Sequence, residues 1–191
     1  MSALKLRRTN KTDDWLTPPE LVRSLGAFDL DPCASHYQSQ PLAAREYKLP
    51  EQNGLLLPWE GRVWCNPPYG EMRHWIKRFM LHANGIMICP MRSDTQWFFH
   101  AWEHASGILF IKGRTRFTSA LVQSKMGNPT MQHVLIACGL DNVEAIRRSD
   151  RTGVLVTARE ILPLTKISPR SIVFPEEIYG NLDGSSNQEQ E

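Results

Sequence analysis

Val63-Trp64-Cys65-Asn66-Pro67-Pro68-Tyr69-Gly70 is a short apolar run that stops abruptly at two prolines. Neither proline can donate to a sheet ladder, so a strand over 63–65 must end there. Their restricted φ angles hold the chain extended and leave the carbonyls of Asn66 and Pro67 free to point outward. The Asn66 amide and the flat Tyr69 ring stand beside those carbonyls. The product is a rigid slot that accepts hydrogen bonds from a planar amine and stacks on the ring carrying it. A helical pattern follows, with Trp75, Ile76, Phe79 and Met80 on one face and Arg73, Lys77 and Arg78 on the other. Strand, rigid loop and helix in this order put a site at the carboxyl end of a sheet strand.

Outward from this junction, helical and strand patterns alternate, which points to an α/β fold. A first helix is expected with Thr17 as its N-cap and Pro18 in its first turn, turning Leu21, Val22 and Leu25 inward. Residues 28–30, 63–65, 85–89, 108–111 and 133–138 read as strands. One helix is expected to begin near Ser93-Asp94, with Gln96 set for a capping box, and another to run from Asp141 past Glu144 to Arg148. Residues 31–62 are too few for two full strand–helix units, so the sheet is expected to be abbreviated there. There is no internal repeat.

Composition bounds the answer without deciding it. The 191 residues suit one domain, and a hydrophobic content of 41% is enough for a core. A net charge of +2 gives only a mild preference for polyanions. Residues 1–12 read as a mobile basic N-terminus, 13–178 as a single domain and 179–191 as a disordered polar tail. Cys33, Cys65, Cys89 and Cys138 show no paired spacing and read as free thiols of a reducing compartment. No apolar leader or membrane span is expected, which makes the protein cytoplasmic.

Asn66-Pro67-Pro68-Tyr69 resembles the catalytic tetrapeptide of amino-methyltransferases, which act on the exocyclic amine of adenine or cytosine or on a glutamine amide. Such an amine is a poor nucleophile because its lone pair is delocalised. Two acceptors, the Asn66 side-chain oxygen and the Pro67 carbonyl, would hold its N–H groups out of the ring plane and free the lone pair. Little base strength is then needed, and the protein's task is positioning and local electrostatics. No side chain can supply the methyl group, so a cofactor must.

A second constellation precedes it: Asp14-Trp15-Leu16-Thr17-Pro18-Pro19-Glu20-Leu21, then Phe28-Asp29-Leu30-Asp31-Pro32-Cys33-Ala34-Ser35. An acid and a proline at a strand end, followed by small residues, suit either a nucleotide crevice or an ordinary turn. Together with the tetrapeptide, Cys89-Pro90-Met91-Arg92-Ser93-Asp94-Thr95-Gln96-Trp97-Phe98 and Phe110-Ile111-Lys112-Gly113-Arg114-Thr115-Arg116-Phe117, these segments resemble the phage-type DNA adenine-N-6 methyltransferases. The resemblance spans roughly residues 13–138.

That resemblance implies an abbreviated Rossmann-like methyltransferase sheet with helices on both faces and S-adenosylmethionine as methyl donor. The substrate it implies is an adenine swung out of double-stranded DNA. Carried over by position, Trp15, Thr17 and Pro18 would line the methionine end of the cofactor. Asp31, Pro32, Cys33 and Ala34 would form the loop beneath it. Asn66 and Pro67 would grip the amine, Pro68 would stiffen the loop, and Tyr69 would stack on the base. Asn53 stands where the family often has an aspartate that contacts the cofactor's adenine, and the loop after Leu30 lacks the usual glycines.

For DNA, Lys112, Arg114 and Arg116 alternate after Ile111 and would share one side if the stretch is extended. Phe117 could wall the base pocket, and residues 92–97, with Arg92, could add to it. Residues 118–130, containing Lys125, Gly127 and Asn128, are a candidate recognition loop. Arg147, Arg148 and Arg151 could follow the DNA backbone or be solvated, and the solvated reading is favoured. His100 and His104 match a zinc-protease spacing with Glu103, but lack a third ligand in context, and Phe98, Phe99 and Trp102 argue for a packed helix; no metal is expected. His36, His74, His82 and His133 show no ligand spacing. Methylation of cytosine N-4, RNA or protein glutamine, or a silent DNA-binding module, stay open as alternatives.

Overall fold

Among the described residues, Val63–Cys65 (β4) lies inside a seven-stranded sheet, near its middle. The computed structural model describes residues 15–119 and 131–157. Besides β4, the sheet contains β2 (Leu30–Ala34), β3 (Arg45–Lys48), β5 (Gly85–Pro90), β6 (Gly107–Ile111), β8 (His133–Cys138) and β9 (Gly153–Thr157). Their order across the sheet is β3-β2-β4-β5-β8-β6-β9. The first four run parallel, β8 is antiparallel to both β5 and β6, and β9 is antiparallel to β6. A separate two-stranded ribbon pairs β1 (Trp15–Leu16) with β7 (Thr118–Ser119), Trp15 opposite Ser119.

Side chains alternate across the central strands, so continuous apolar runs feed two cores. Val63, Cys65, Met87, Cys89, Val134 and Ile136 face one core, where α2 (Met72–His82) contributes Trp75, Ile76 and Phe79 and α3 (Gln96–His104) contributes Phe98 and Ala101. Trp64, Ile86, Ile88, Leu135 and Ala137 face the other, covered by Leu21, Val22 and Leu25 of the α1 segment (helix Pro19–Ser24) and by Val143 and Ile146 of α4 (Leu140–Arg148). Helices therefore lie on both faces. Trp75 and Phe79 are fully buried, each worth about 2–3 kcal/mol of hydrophobic stabilisation before entropy is charged.

The abbreviation falls on the connections rather than on strand number. Residues 31–62 supply the end of β2 and all of β3, and no helix joins the parallel pair. Several boundaries differ from expectation. The strand expected at 28–30 instead begins at Leu30 and runs through Asp31, Pro32 and Cys33 to Ala34, with a register irregularity between Asp31 and Ala34. Pro32 is tolerated because irregular pairing there spares the ladder hydrogen bond it cannot make. Thr17 does not cap α1; Pro18 is the N-cap residue and no side chain caps the helix. Gln96 starts α3 rather than closing a capping box, since Thr95 is the N-cap residue and Gln96 falls at the first helical position instead of the third.

β2 leads outward to β3, whereas β4 leads to β5 on its other side. The strand order reverses between β2 and β4, and a crevice opens at their carboxyl ends. The opposite end of the same junction is clamped by Arg62. Its guanidinium donates to Asn142 Oδ1 (2.6 Å), Ala27 O (2.7 Å) and Leu25 O (2.8 Å), and lies 4.1 Å from the Phe28 ring centroid. No helix of the described residues is long and apolar enough to cross a membrane.

Candidate active site

The crevice is lined by Trp15, Thr17, Asp31, Cys33, Ala34, Ser35, Gln38, Leu42, Leu49 and the whole Asn66 to Tyr69 loop. It holds about 650 Å³ of space, part of it open to solvent. Distant segments meet here because β2 and β4 are neighbours and the ribbon β1–β7 brings residues 15–17 over their ends.

Asn66 is the best-defined group. Its Nδ2 donates to the Trp15 carbonyl at 3.1 Å and to Thr17 Oγ1 at 3.0 Å. Both amide hydrogens are thereby used, and among the described residues neither Asn66 Oδ1 nor the Pro67 carbonyl accepts a hydrogen bond. Two acceptors thus stand ready at the head of a loop that Pro68 keeps extended (φ −58°, ψ 127°). Tyr69 opens the single turn Tyr69–Glu71 before α2. Its hydroxyl lies 3.0 Å from His133 Nε2, and the two rings are tilted with centroids 6.0 Å apart. Burial raises the Tyr69 phenol above its ordinary value, so it stays neutral.

Asp31 is almost fully buried at the crevice floor. Desolvation pushes its carboxyl up to about 7, opposed by the Cys33 N–H, which donates to Oδ1 at 3.0 Å. Among the described residues it has no ion-pair partner within reach. Cys33 Sγ and Cys65 Sγ lie 3.6 Å apart as free thiols, both pushed up by burial and hence poor nucleophiles. In place of a glycine loop, backbone closeness comes from below: a Cβ on Gly54 would meet the Pro32 carbonyl oxygen at 1.9 Å. That contact is the signal that the 53–54 turn supports the floor.

Not every expected residue reaches the crevice. Asn53 spends its side-chain oxygen on Leu55 N (3.0 Å) within its own turn and does not line the crevice. Pro18 and Pro32 shape the backbone without lining it. Lys112, Arg114 and Arg116 are exposed, but Gly113 (φ +88°) bends the chain, so they do not form one straight extended side. Arg92 is exposed and forms a two-point pair with Asp94 (3.1 and 3.2 Å). Lys125 and residues 120–130 lie outside the described residues. Because β4, β5 and β6 point the same way, Asn66, Arg92 and Lys112 all follow strand ends on one edge of the sheet.

Gln38 and His133 were missed by sequence reading. Gln38 donates to the Thr17 carbonyl at 3.3 Å, and His133 braces Tyr69. A polar residue opening an otherwise apolar strand was the available signal for His133. Arg147 and Arg148, both exposed, pair with Glu144, whereas Arg151 is half-buried and pairs with Asp150. His100, Glu103 and His104 present ligand atoms within 4.8 Å of one another at the exposed end of α3, away from the crevice-lining residues.

The family model described as DNA N-6-adenine-methyltransferase (Dam) matches residues 5–151, which includes every strand and helix from β1 to α4. No curated protein and no solved structure matches the chain. With the Asn66 to Tyr69 loop at the reversal point of an α/β sheet, and that match over most of its length, the chain belongs to the DNA N-6-adenine-methyltransferase family.

Proposed function

We propose that this enzyme transfers a methyl group from S-adenosylmethionine to the N-6 amine of an adenine rotated out of double-stranded DNA. The observation that carries the reading is the pair of open acceptors, Asn66 Oδ1 and the Pro67 carbonyl, beside the Tyr69 ring. A slot of acceptors alone suits a group that presents two N–H donors, as an exocyclic amine does. The amine nitrogen is drawn out of conjugation by those two hydrogen bonds, and Tyr69 stacks against the base. As the N–C bond forms the methyl–sulfonium bond would break, the neutral thioether would leave, and the now acidic amine would pass its proton to water, so no strong base is required.

The crevice residues fit the cofactor. Trp15, Leu42 and Leu49 offer apolar walls, while Asp31, Ser35 and Gln38 offer polar groups for an adenosine and an amino-acid end. Asp31, buried without an ion-pair partner, is suited to a cationic neighbour. When bound, S-adenosylmethionine supplies an electrophilic methyl group on a sulfonium. Thr17 and Trp15 hold Asn66, and Asp31, Cys33 and Ala34 shape the floor.

Lys112, Arg114 and Arg116 are suited to the phosphates flanking the rotated base, on the same edge as Asn66. Arg92 is suited to the same task if its pair with Asp94 opens. Thr118 and Ser119, the first residues of the expected recognition segment, form β7, and the rest of that segment, with Lys125, lies outside the described residues. Four free thiols support a cytoplasmic setting. The test is transfer of labelled methyl groups to unmethylated duplex DNA, followed by nucleoside analysis. Label in N-6-methyladenine is expected; label in cytosine, RNA or protein would move the substrate, and none despite DNA binding would favour a silent module.

A further inference from the structure

Thr17 stands immediately before Pro18, which disfavours a helical backbone at Thr17, and its hydroxyl does not cap α1. The side chain is buried, 3% exposed, and faces the crevice. Its Oγ1 receives one amide hydrogen of Asn66 at 3.0 Å, while the Trp15 carbonyl receives the other at 3.1 Å. We propose that Thr17 is a positioning residue for methyl transfer: it fixes the end of the Asn66 amide that meets the substrate amine. This inference rests on the methyl-transfer reading above.

An asparagine amide has nearly the same shape after a half-turn, but the turn exchanges an acceptor for two donors. Flipped, Asn66 would press Oδ1 against the Trp15 carbonyl and offer N–H groups to an amine that needs acceptors. The Trp15 bond alone disfavours the flip but leaves the amide plane free to rock about a single contact. The second contact, to Thr17, fixes the plane and with it the direction of Oδ1. Thr17 is itself tethered, since Gln38 Nε2 donates to its carbonyl at 3.3 Å. Small errors in the direction of an acceptor are costly in group transfer, up to about a hundredfold for a misplacement of about 1 Å.

Thr17→Val keeps the branched shape and removes the acceptor; Thr17→Ser keeps the hydroxyl. The experiment compares wild type, T17V and T17S in methyl transfer to duplex DNA, reading kcat at saturating S-adenosylmethionine, KM for S-adenosylmethionine, and thermal stability. T17V is expected to lower kcat at least about tenfold with KM for the cofactor within about twofold of wild type. T17S is expected to recover kcat to within about threefold. A loss confined to a raised KM would make Thr17 a cofactor contact and overturn the inference. Unchanged kcat in T17V, or equal losses in T17V and T17S, would overturn it too. Those failures leave wild-type transfer to adenine intact, whereas a wild type that transfers nothing to adenine removes the underlying reading and this inference with it.

Discussion

The Tyr69 hydroxyl lies 3.0 Å from Nε2 of His133, the first residue of β8, and Phe117 packs on the same imidazole with ring centroids 4.8 Å apart. Three rings thus connect the Asn66–Tyr69 loop to the start of β8 and to Phe117, which immediately precedes β7. Burial lowers the His133 imidazole to about 4 and raises the Tyr69 phenol. Both partners are neutral near pH 7, and the bond between them is a neutral one.

That pairing has an asymmetric energetic consequence. His133→Phe keeps a ring beneath Phe117 but leaves the Tyr69 hydroxyl without its partner, which should cost about 1–3 kcal/mol of stability. Tyr69→Phe in the same background removes the stranded hydroxyl. The double variant should therefore be less destabilised than the sum of the two single variants. Urea denaturation of the four proteins measures this; strict additivity would show that the two side chains do not support each other.

Asn66→Ala removes one of the two acceptors and leaves the crevice floor intact. Methyl transfer should fall by at least about a hundredfold. Binding of the cofactor, followed by calorimetry, should stay near wild type because Asp31, Ser35 and Gln38 are untouched. Unchanged turnover would remove Asn66 from the chemistry.

The junction at 63–70 was legible because two prolines after an apolar run leave few conformations open. β4 and β8 matched their expected bounds, since buried runs bounded by Pro67 and by Gly139 have sharp ends. β3 escaped notice because Arg45-Glu46-Tyr47-Lys48 is an edge strand with charged residues, and edge strands carry little apolar signal. β1 and β7 are two-residue pairings between segments far apart in sequence, a contact no local pattern can announce. The same holds for Thr17: as a residue before proline it reads like a helix cap, and only the ribbon that lays it over Asn66 gives the hydroxyl another partner. Gln38 and His133 likewise acquire their roles only through tertiary contacts.

DNA affinity offers a different kind of check. Each lysine or arginine that neutralises a phosphate contributes roughly one unit to the slope of log affinity against log salt. Lys112→Ala and Arg116→Ala should each weaken binding and flatten that slope by about one. Arg147→Ala should change neither, because Arg147 pairs with Glu144 on α4. Fluorescence anisotropy with a labelled duplex at several salt concentrations distinguishes the two groups. An unchanged slope for Lys112→Ala would exclude that residue from the interface.

Asp31 and His133 make opposite demands on pH, and the signs can be worked out from their environments. The Asp31 carboxyl rises from 3.8 to about 7 on burial, so the folded chain keeps a proton that the unfolded chain releases. Its stabilising contribution is full below the unfolded value and is lost as pH rises toward 7. The His133 imidazole falls from 6.5 to about 4, so the unfolded chain binds a proton that the folded chain refuses. Its contribution is full above 6.5 and is lost as pH falls through 4. In the overlapping window the two slopes oppose each other, and wild-type stability should be nearly flat. Asp31→Asn keeps the shape and removes one slope. Its unfolding free energy should then climb by roughly 3 kcal/mol across that window, and at pH above about 7 it should exceed wild type. Urea denaturation from about pH 4 to pH 8 reads both profiles. A flat profile in Asp31→Asn would mean that His133 titrates near its ordinary value in the folded chain, and an Asp31→Asn no more stable than wild type above about pH 7 would mean the same for Asp31.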